Sequence, residues 1–361
     1  MVNKAYRQPV NWTGCNFHYW LLLSLFLSFF MSAAMAQHSG FKKNPSMQNS
    51  STASITQPKN APTQKISIEE LLTRFARNGS SQLFDGTFVY LFEDAIQTIK
   101  VKREKNEHGD IVEKFIPLDS NQQQSSRSLN NQYCLLDNGW QFQFQAVSSS
   151  FPFRINNYYQ ELQKNYDFNL SEIKIIAGTP AIGLFIKAKD PYRYGYELWF
   201  EPETATLLKY KLIDQKEKVI EQYLFTDIGF HKKSENFTMP ANESEQASSC
   251  LEEFRGIMSV FNNHFSHNKI PRGYEPVSFR TGIINNGGRQ AYQFQLSDGI
   301  ASVSIFIEER QTAGPSVNGV VKLGPVNVAG KTIGDYQITV LGAIPVASAL
   351  HFLNAAKDPG K

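Results

Sequence analysis

At 361 residues and a net charge of +3, the chain is long enough for two domains that each bury a core, and too weakly charged for a nucleic-acid surface. Its basic residues are scattered rather than clustered, so no nucleic-acid partner is expected. The 27 Phe and 15 Tyr, set against few Gly and Pro, favour a β-rich globular structure.

The chain begins with Lys4 and Arg7, an apolar run at 20–31, and Ala34-Met35-Ala36 before Gln37. This pattern predicts a cleavable secretory signal over 1–36, with an uncleaved anchor as the alternative; the run is short for a membrane span. Cys15 precedes the apolar run and is not placed as a lipoprotein acceptor. Export permits a disulfide, but Cys134 and Cys250 lie far apart with no CxxC partner, and their pairing stays open. Residues 37–65 are rich in Ser, Thr, Asn, Gln and Pro, which predicts a disordered tether.

Structure is expected from Ile66. Ser67 and Glu70 form a capping box, and Ile66 with Leu71 the accompanying hydrophobic staple. Ile68, Leu71, Leu72 and Phe75 then share one helical face, and Asn78-Gly79 ends the helix. Strands are read at 86–92, 96–101, 111–116, 133–136 and 140–144, with turns at Glu107-His108-Gly109-Asp110 and Asp137-Asn138-Gly139. Residues 151–169 read as an irregular or partly helical crossing, and 172–177 and 181–188 as strands again.

The stretch Asp190-Pro191-Tyr192-Arg193-Tyr194-Gly195-Tyr196-Glu197-Leu198-Trp199-Phe200 organises the chain. Alternation puts Tyr194, Tyr196, Leu198 and Phe200 on one face and Gly195, Glu197 and Trp199 on the other. Glu201-Pro202-Glu203-Thr204 breaks the strand, and strands at 207–213 and 219–225 complete an aromatic meander. In the last of these Val219, Glu221, Tyr223 and Phe225 alternate with Ile220, Gln222, Leu224 and Thr226. Such a sheet with one amphipathic helix predicts a strongly curved antiparallel half-barrel plugged by the helix over 66–230. Its Tyr194 face is either a lipid cavity or ordinary core.

Residues 231–265 read as a linker, with a short helix open at 251–265, and 266–357 as a smaller α+β domain. Strands are placed at 290–296, 302–308, 319–323, 326–328 and 334–342, with a final helix from Pro345 to Ala356. Chemistry is sparse. Ala329-Gly330-Lys331-Thr332 lacks the upstream glycine of a phosphate loop and reads as a hairpin turn. His264 and His267 have no further ligand at suitable spacing and read as solvated linker histidines, so no metal or cofactor is expected. The sequence has no GxSxG, HExxH or dinucleotide fingerprint, which argues against an enzyme.

The run from Asp190 to Trp199, with Leu207-Leu208-Lys209 and Glu221-Gln222-Tyr223-Leu224-Phe225-Thr226, resembles the MucB/RseB family of periplasmic sigma-E regulators. So does the second domain, through Ile270-Pro271-Arg272-Gly273-Tyr274, Leu296-Ser297-Asp298-Gly299-Ile300 with the strand after it, and 326–342. The tether and a Ser/Gln-rich insertion at 121–127 depart from the pattern. The resemblance implies a lipoprotein-carrier-like first domain and a periplasmic protein that binds the periplasmic part of a single-span anti-sigma factor. It also implies protection of that factor from proteolysis, restraint of the sigma-E envelope stress response, and release by lipid or lipopolysaccharide acyl chains. A periplasmic lipid or lipoprotein carrier or chaperone is the alternative, and a homo-oligomer is open. On this reading Tyr194, Tyr196, Leu198 and Phe200 are the lipid-facing candidates. Arg193, Glu197, Asp298 and Gly299 are the partner-facing ones, with Asp298-Gly299 alternatively a tight turn and the strand at 302–308 an exposed edge.

Overall fold

The computed structural model describes residues 66–78, 82–93, 95–105, 107, 111–119, 125–128, 133–135, 141–143, 159–231, 258–259, 261–284, 289–310 and 317–357. The signal, the tether, the turn at Asp137-Asn138-Gly139 and Cys250 lie outside them.

The first helix, α1 (Ile68–Asn78), starts where the capping box is expected. The Ser67 hydroxyl accepts from the Glu70 amide at 3.1 Å, but the Glu70 carboxylate turns to Arg74 instead of back to the cap. Then come β1 (Phe84–Phe92), β2 (Ala95–Lys105), β3 (Ile111–Pro117), β4 (Ser125–Ser128), β5 (Tyr133–Leu135), β6 (Gln141–Gln143), the short α2 (Tyr159–Leu162), β7 (Tyr166–Ile176), β8 (Thr179–Ala188), β9 (Gly195–Phe200), β10 (Leu207–Ile213) and β11 (Val219–Phe230). Nine of these strands form one antiparallel sheet in the order β4-β3-β2-β1-β11-β10-β9-β8-β7, and β5 pairs with β6 apart from it. The curved half-barrel with its plugging helix is the fold of this half.

The core of the half-barrel lies between α1 and one face of the sheet. Leu71 and Leu72 of α1 share one buried cluster with Phe88, Leu184, Leu198, Phe200, Tyr223 and Phe225, and Phe75 sits edge-on to Phe200 at 5.1 Å. Each fully buried leucine or phenylalanine stabilises the fold by about 1.5–3 kcal/mol. The opposite face holds a smaller cluster of Ile176, Ala181, Trp199 and Leu208.

Two expectations in this half are corrected. Tyr166 to Asn169, read as part of an irregular crossing, already pair with β8; a register shift between Leu170 and Ile173 interrupts the alternation that would have marked them. No strand is read in the Ser/Gln-rich stretch, yet Ser125–Ser128 form β4, an edge strand whose polar residues give no apolar periodicity. The β7–β8 turn rests on Ala177 and Gly178 at φ 50° and 73°, the double left-handed geometry that matches strand twist.

The second sheet contains β12 (Glu275–Ile284), β13 (Arg289–Ser297), β14 (Ser302–Glu309), β15 (Gly319–Leu323), β16 (Val326–Ile333) and β17 (Tyr336–Gly342), in the order β12-β13-β14-β17-β16-β15. The last helix, α3 (Val346–Ala355), has Pro345 at its cap and buries Phe352 and Leu353 against the sheet. Four expectations change here. β12 escapes the strand pattern because Pro276 opens it, and a register shift comes at once; its edge position tolerates both. Ala329-Gly330-Lys331-Thr332 is the interior of β16 rather than a turn, and the chain reverses at Gly334, φ 55°. Gly330 is required because Val317 crosses where its side chain would stand. The strand at 302–308 is no exposed edge, since β14 is bonded on both sides by β13 and β17. Finally, Phe261 and Phe265, assigned to the linker, are stacked 5.1 Å apart inside the second core, and His264 beside them is 8 % exposed against Tyr292 and Tyr336. His264 is therefore no solvated linker histidine.

Candidate functional site

The two sequence signatures meet each other. After β8 the chain bends at Asp190, whose Oδ1 accepts from the Tyr192 amide at 2.9 Å, and the bend turns Arg193 inward. Between β13 and β14 the Ser297 hydroxyl accepts from the Gly299 amide and donates to the Ala301 carbonyl, while Gly299 supplies φ 97°. This tight loop points Asp298 at the first domain. Asp298 Oδ1 accepts from the amides of Ile300 and Ala301 at 3.0 and 2.8 Å. Its Oδ2 accepts from Arg193 Nε at 2.5 Å and from the Tyr166 hydroxyl at 2.8 Å.

Arg193 is 0 % exposed, and its other nitrogens donate to Asp190 and to the Arg272 carbonyl. The Tyr274 ring lies 4.8 Å from its guanidinium carbon. Burial opposes the Arg193 charge, yet Asp298, Tyr274, Tyr166 and Asp190 outweigh it and hold the group protonated above its ordinary range. Burial also pushes the Tyr166 phenol well up, helped by Asp298. Asn327 adds a bridge, donating to the Tyr194 hydroxyl at 3.1 Å and to the Ile344 carbonyl at 2.7 Å, and Ile300 joins the first core. The arrangement is a buried clasp between the halves, with the charge of Arg193 met by Asp298, Asp190, the Arg272 carbonyl and the Tyr274 ring. Three of the four partner-facing candidates, Arg193, Asp298 and Gly299, thus form a buried joint rather than an open recognition surface.

The four lipid-facing candidates are likewise enclosed. Tyr194 and Tyr196 are 7 % and 6 % exposed, Leu198 and Phe200 are 0 %, and all belong to the core beneath α1. The helix contributes Leu71 and Leu72 to the same buried cluster.

Glu197, the fourth partner-facing candidate, lies on the opposite face. Its carboxylate accepts from Lys209 and Lys211 at 2.9 and 2.8 Å and from the Trp199 indole at 2.8 Å. Burial alone would raise its carboxyl, but Lys211, Trp199 and Lys209 together bring it down to about 2 from 4.5. A depressed carboxyl stabilises the fold above the unfolded value and loses that contribution as pH falls through the folded one. Glu197→Gln is therefore expected to cost about 1 kcal/mol at neutral pH, as a partly screened pair should. It should also flatten the loss of stability between pH 4.5 and about 2, measured by urea unfolding across that window. An unchanged acid limb would remove Glu197 from the account.

Several site residues escape sequence reading. Tyr166 is hidden in the irregular stretch, and Asn327 carries no motif. Glu221 is visible as a carboxylate in register with Tyr223 and Phe225, and it accepts from the Tyr90 and Tyr210 hydroxyls at 2.6 and 3.0 Å.

Two family models divide the chain between them: the MucB/RseB N-terminal domain matches 67–246 and the MucB/RseB C-terminal domain matches 260–357. The chain belongs to the MucB/RseB family. The MucB/RseB C-terminal match takes in Phe261 and Phe265, in accord with their place in the second core. Among relatives, the sigma factor AlgU regulatory protein MucB of Pseudomonas aeruginosa is 25 % identical over 305 residues, 80 % of this chain and 90 % of that one. The sigma-E factor regulatory protein RseB of Haemophilus influenzae is 20 % identical over 82 % of this chain and 93 % of its own. The crystal structure of MucB in complex with MucA(peri) is 20 % identical, covers 81 % of this chain and 98 % of that one, and superposes with a TM-score of 0.56. At that identity the likeness speaks for the fold.

Proposed function

We propose that this protein is a periplasmic regulator that binds the periplasmic segment of a single-span anti-sigma factor and shields it from proteolysis, so restraining a sigma-E-type envelope stress response. Lipid or lipopolysaccharide acyl chains relieve the restraint. The observation that carries the reading is the family match across both halves in sequence order, supported by relatives described as regulators of sigma factors. The clasp fits a protein whose two domains act on one partner, because a buried Arg193–Asp298 pair fixes their relation until something displaces it.

Lipid sensing on this reading takes place beneath α1. Inserting a twelve-carbon chain offers roughly 10 kcal/mol gross at ~0.8 kcal/mol per CH₂. That gain is set against displacement of Leu71 and Leu72, each worth about 1.5–3 kcal/mol, and against the costs of association. The test combines the exported protein with the periplasmic segment of an anti-sigma protein encoded beside it. Calorimetry is expected to show a one-to-one complex, with the segment resisting proteolysis, that dissociates when lipopolysaccharide is added. Failure to bind the segment would overturn the regulatory reading; binding without release would overturn the lipid part alone.

A further inference from the structure

Among the described residues, the core beneath α1 contains one carboxylate that no lysine or arginine reaches. Glu113 has Arg103, and Asp298 has Arg193. Glu221, turned inward on β11 beside Tyr223, receives the Tyr90 and Tyr210 hydroxyls, one on each oxygen. Directly across the ladder from Tyr90, Gln97 holds its side-chain oxygen buried with no hydrogen-bond donor. Among the described residues the Gln97 oxygen thus lacks a donor, and the Glu221 carboxylate is met by hydroxyls but by no cation. Leaving such groups unpaired in an aromatic core is costly, and a well-formed fold retains them where something else supplies the missing hydrogens.

We propose that Glu221, Gln97, Tyr90 and Tyr210 form a subsite for a primary ammonium group carried on an aliphatic chain. The inference rests on the reading that the α1-covered face takes up lipid. An ammonium brings three N–H donors and one positive charge, matching a carboxylate and an amide oxygen, while Tyr210 and Tyr223, stacked 5.8 Å apart, supply ring faces that favour a cation. The corner is also placed for entry. Glu221 stands opposite Phe92 and Leu212 at the ends of β1 and β10, and the next residue of β1's turn, Glu93, meets Lys322 of β15 in the second domain. The subsite thus lies at the end of the half-barrel that faces the second domain, with the aromatic interior beyond it for the chain. Burial raises the Glu221 carboxyl and the two tyrosines draw it back, so a cation seated here would meet a group that gains by ionising.

The test uses the exported protein and three soluble probes below their micellar concentrations: dodecylammonium, laurate and N-acetyl-lysine methylamide. Wild-type protein is expected to bind dodecylammonium at least about tenfold more tightly than laurate by calorimetry, with no measurable binding of the lysine derivative. Glu221→Gln, which keeps the shape of the side chain, is expected to abolish that preference while leaving laurate affinity and the melting temperature close to wild type. Equal affinity for the two amphiphiles in wild-type protein would overturn the ammonium subsite and spare the lipid reading. Binding of neither chain would overturn both. Binding of the lysine derivative as tightly as the amphiphile would assign the corner to a peptide and overturn the proposal as well.

Discussion

Replacing Arg193 with leucine is expected to cost about 3–5 kcal/mol of stability, because it leaves a buried carboxylate without its counter-charge. Asp298 is 2 % exposed and keeps three donors when Arg193 is gone, the Tyr166 hydroxyl and the amides of Ile300 and Ala301. Those donors soften the loss without neutralising the charge. The Arg272 carbonyl and Asp190 lose a donor too, and the Tyr274 ring loses the guanidinium packed on it. Asp298→Asn in the same chain removes the stranded charge while preserving an oxygen for the two loop amides, so the double variant is expected to regain about half of the loss. Urea unfolding monitored by tryptophan fluorescence measures both. A single-variant loss below about 1 kcal/mol would show that the clasp is incidental to the fold. The double variant as unstable as the single would show that the cost lies in lost packing and not in charge.

The clasp shows what the sequence could and could not disclose. Each half of it is legible as a dense run of unusual residues, Asp190 to Phe200 and Leu296 to Ile300. Their contact is not, because Arg193 and Asp298 are separated by 105 residues and no periodicity links them. Local rules work where local physics decides: the Ser67 cap, the Leu71–Leu72 face, the alternation of β9 and β11, and Pro345 before α3. They fail where a distant segment decides. Gly330 reads as a turn glycine, yet it is there because Val317 passes against it. Phe261 and Phe265 fall at the end of the segment assigned to the linker, on a stretch read as a short helix with no partner, yet both rings belong to the core of the second sheet. The alternation of β9 tells which residues share a face, and only the placement of α1 tells that this face is covered.

Tyr196→Asp is the variant expected to do most damage. The ring is 6 % exposed beneath α1, 6.2 Å from that of Tyr210, and its phenol is held well above the ordinary range by burial and by the charges of Asp298 and Glu221. An aspartate there removes an aromatic ring, a loss of about 3–5 kcal/mol for truncation to a small residue. It also adds a third acid to a corner where, among the described residues, no cation meets Glu221, so the new carboxyl must either stay protonated or bear its burial uncompensated. Against a total stability of about 5–15 kcal/mol, the sum is enough to unfold the first domain at room temperature. Circular dichroism and the urea midpoint read this directly, with Tyr196→Phe, which keeps the ring, as the control expected to cost no more than about 1 kcal/mol. A Tyr196→Asp protein that melts like wild type would mean that this face opens to water in solution, and Tyr196 would return to the lipid-facing surface from which its burial beneath α1 now separates it.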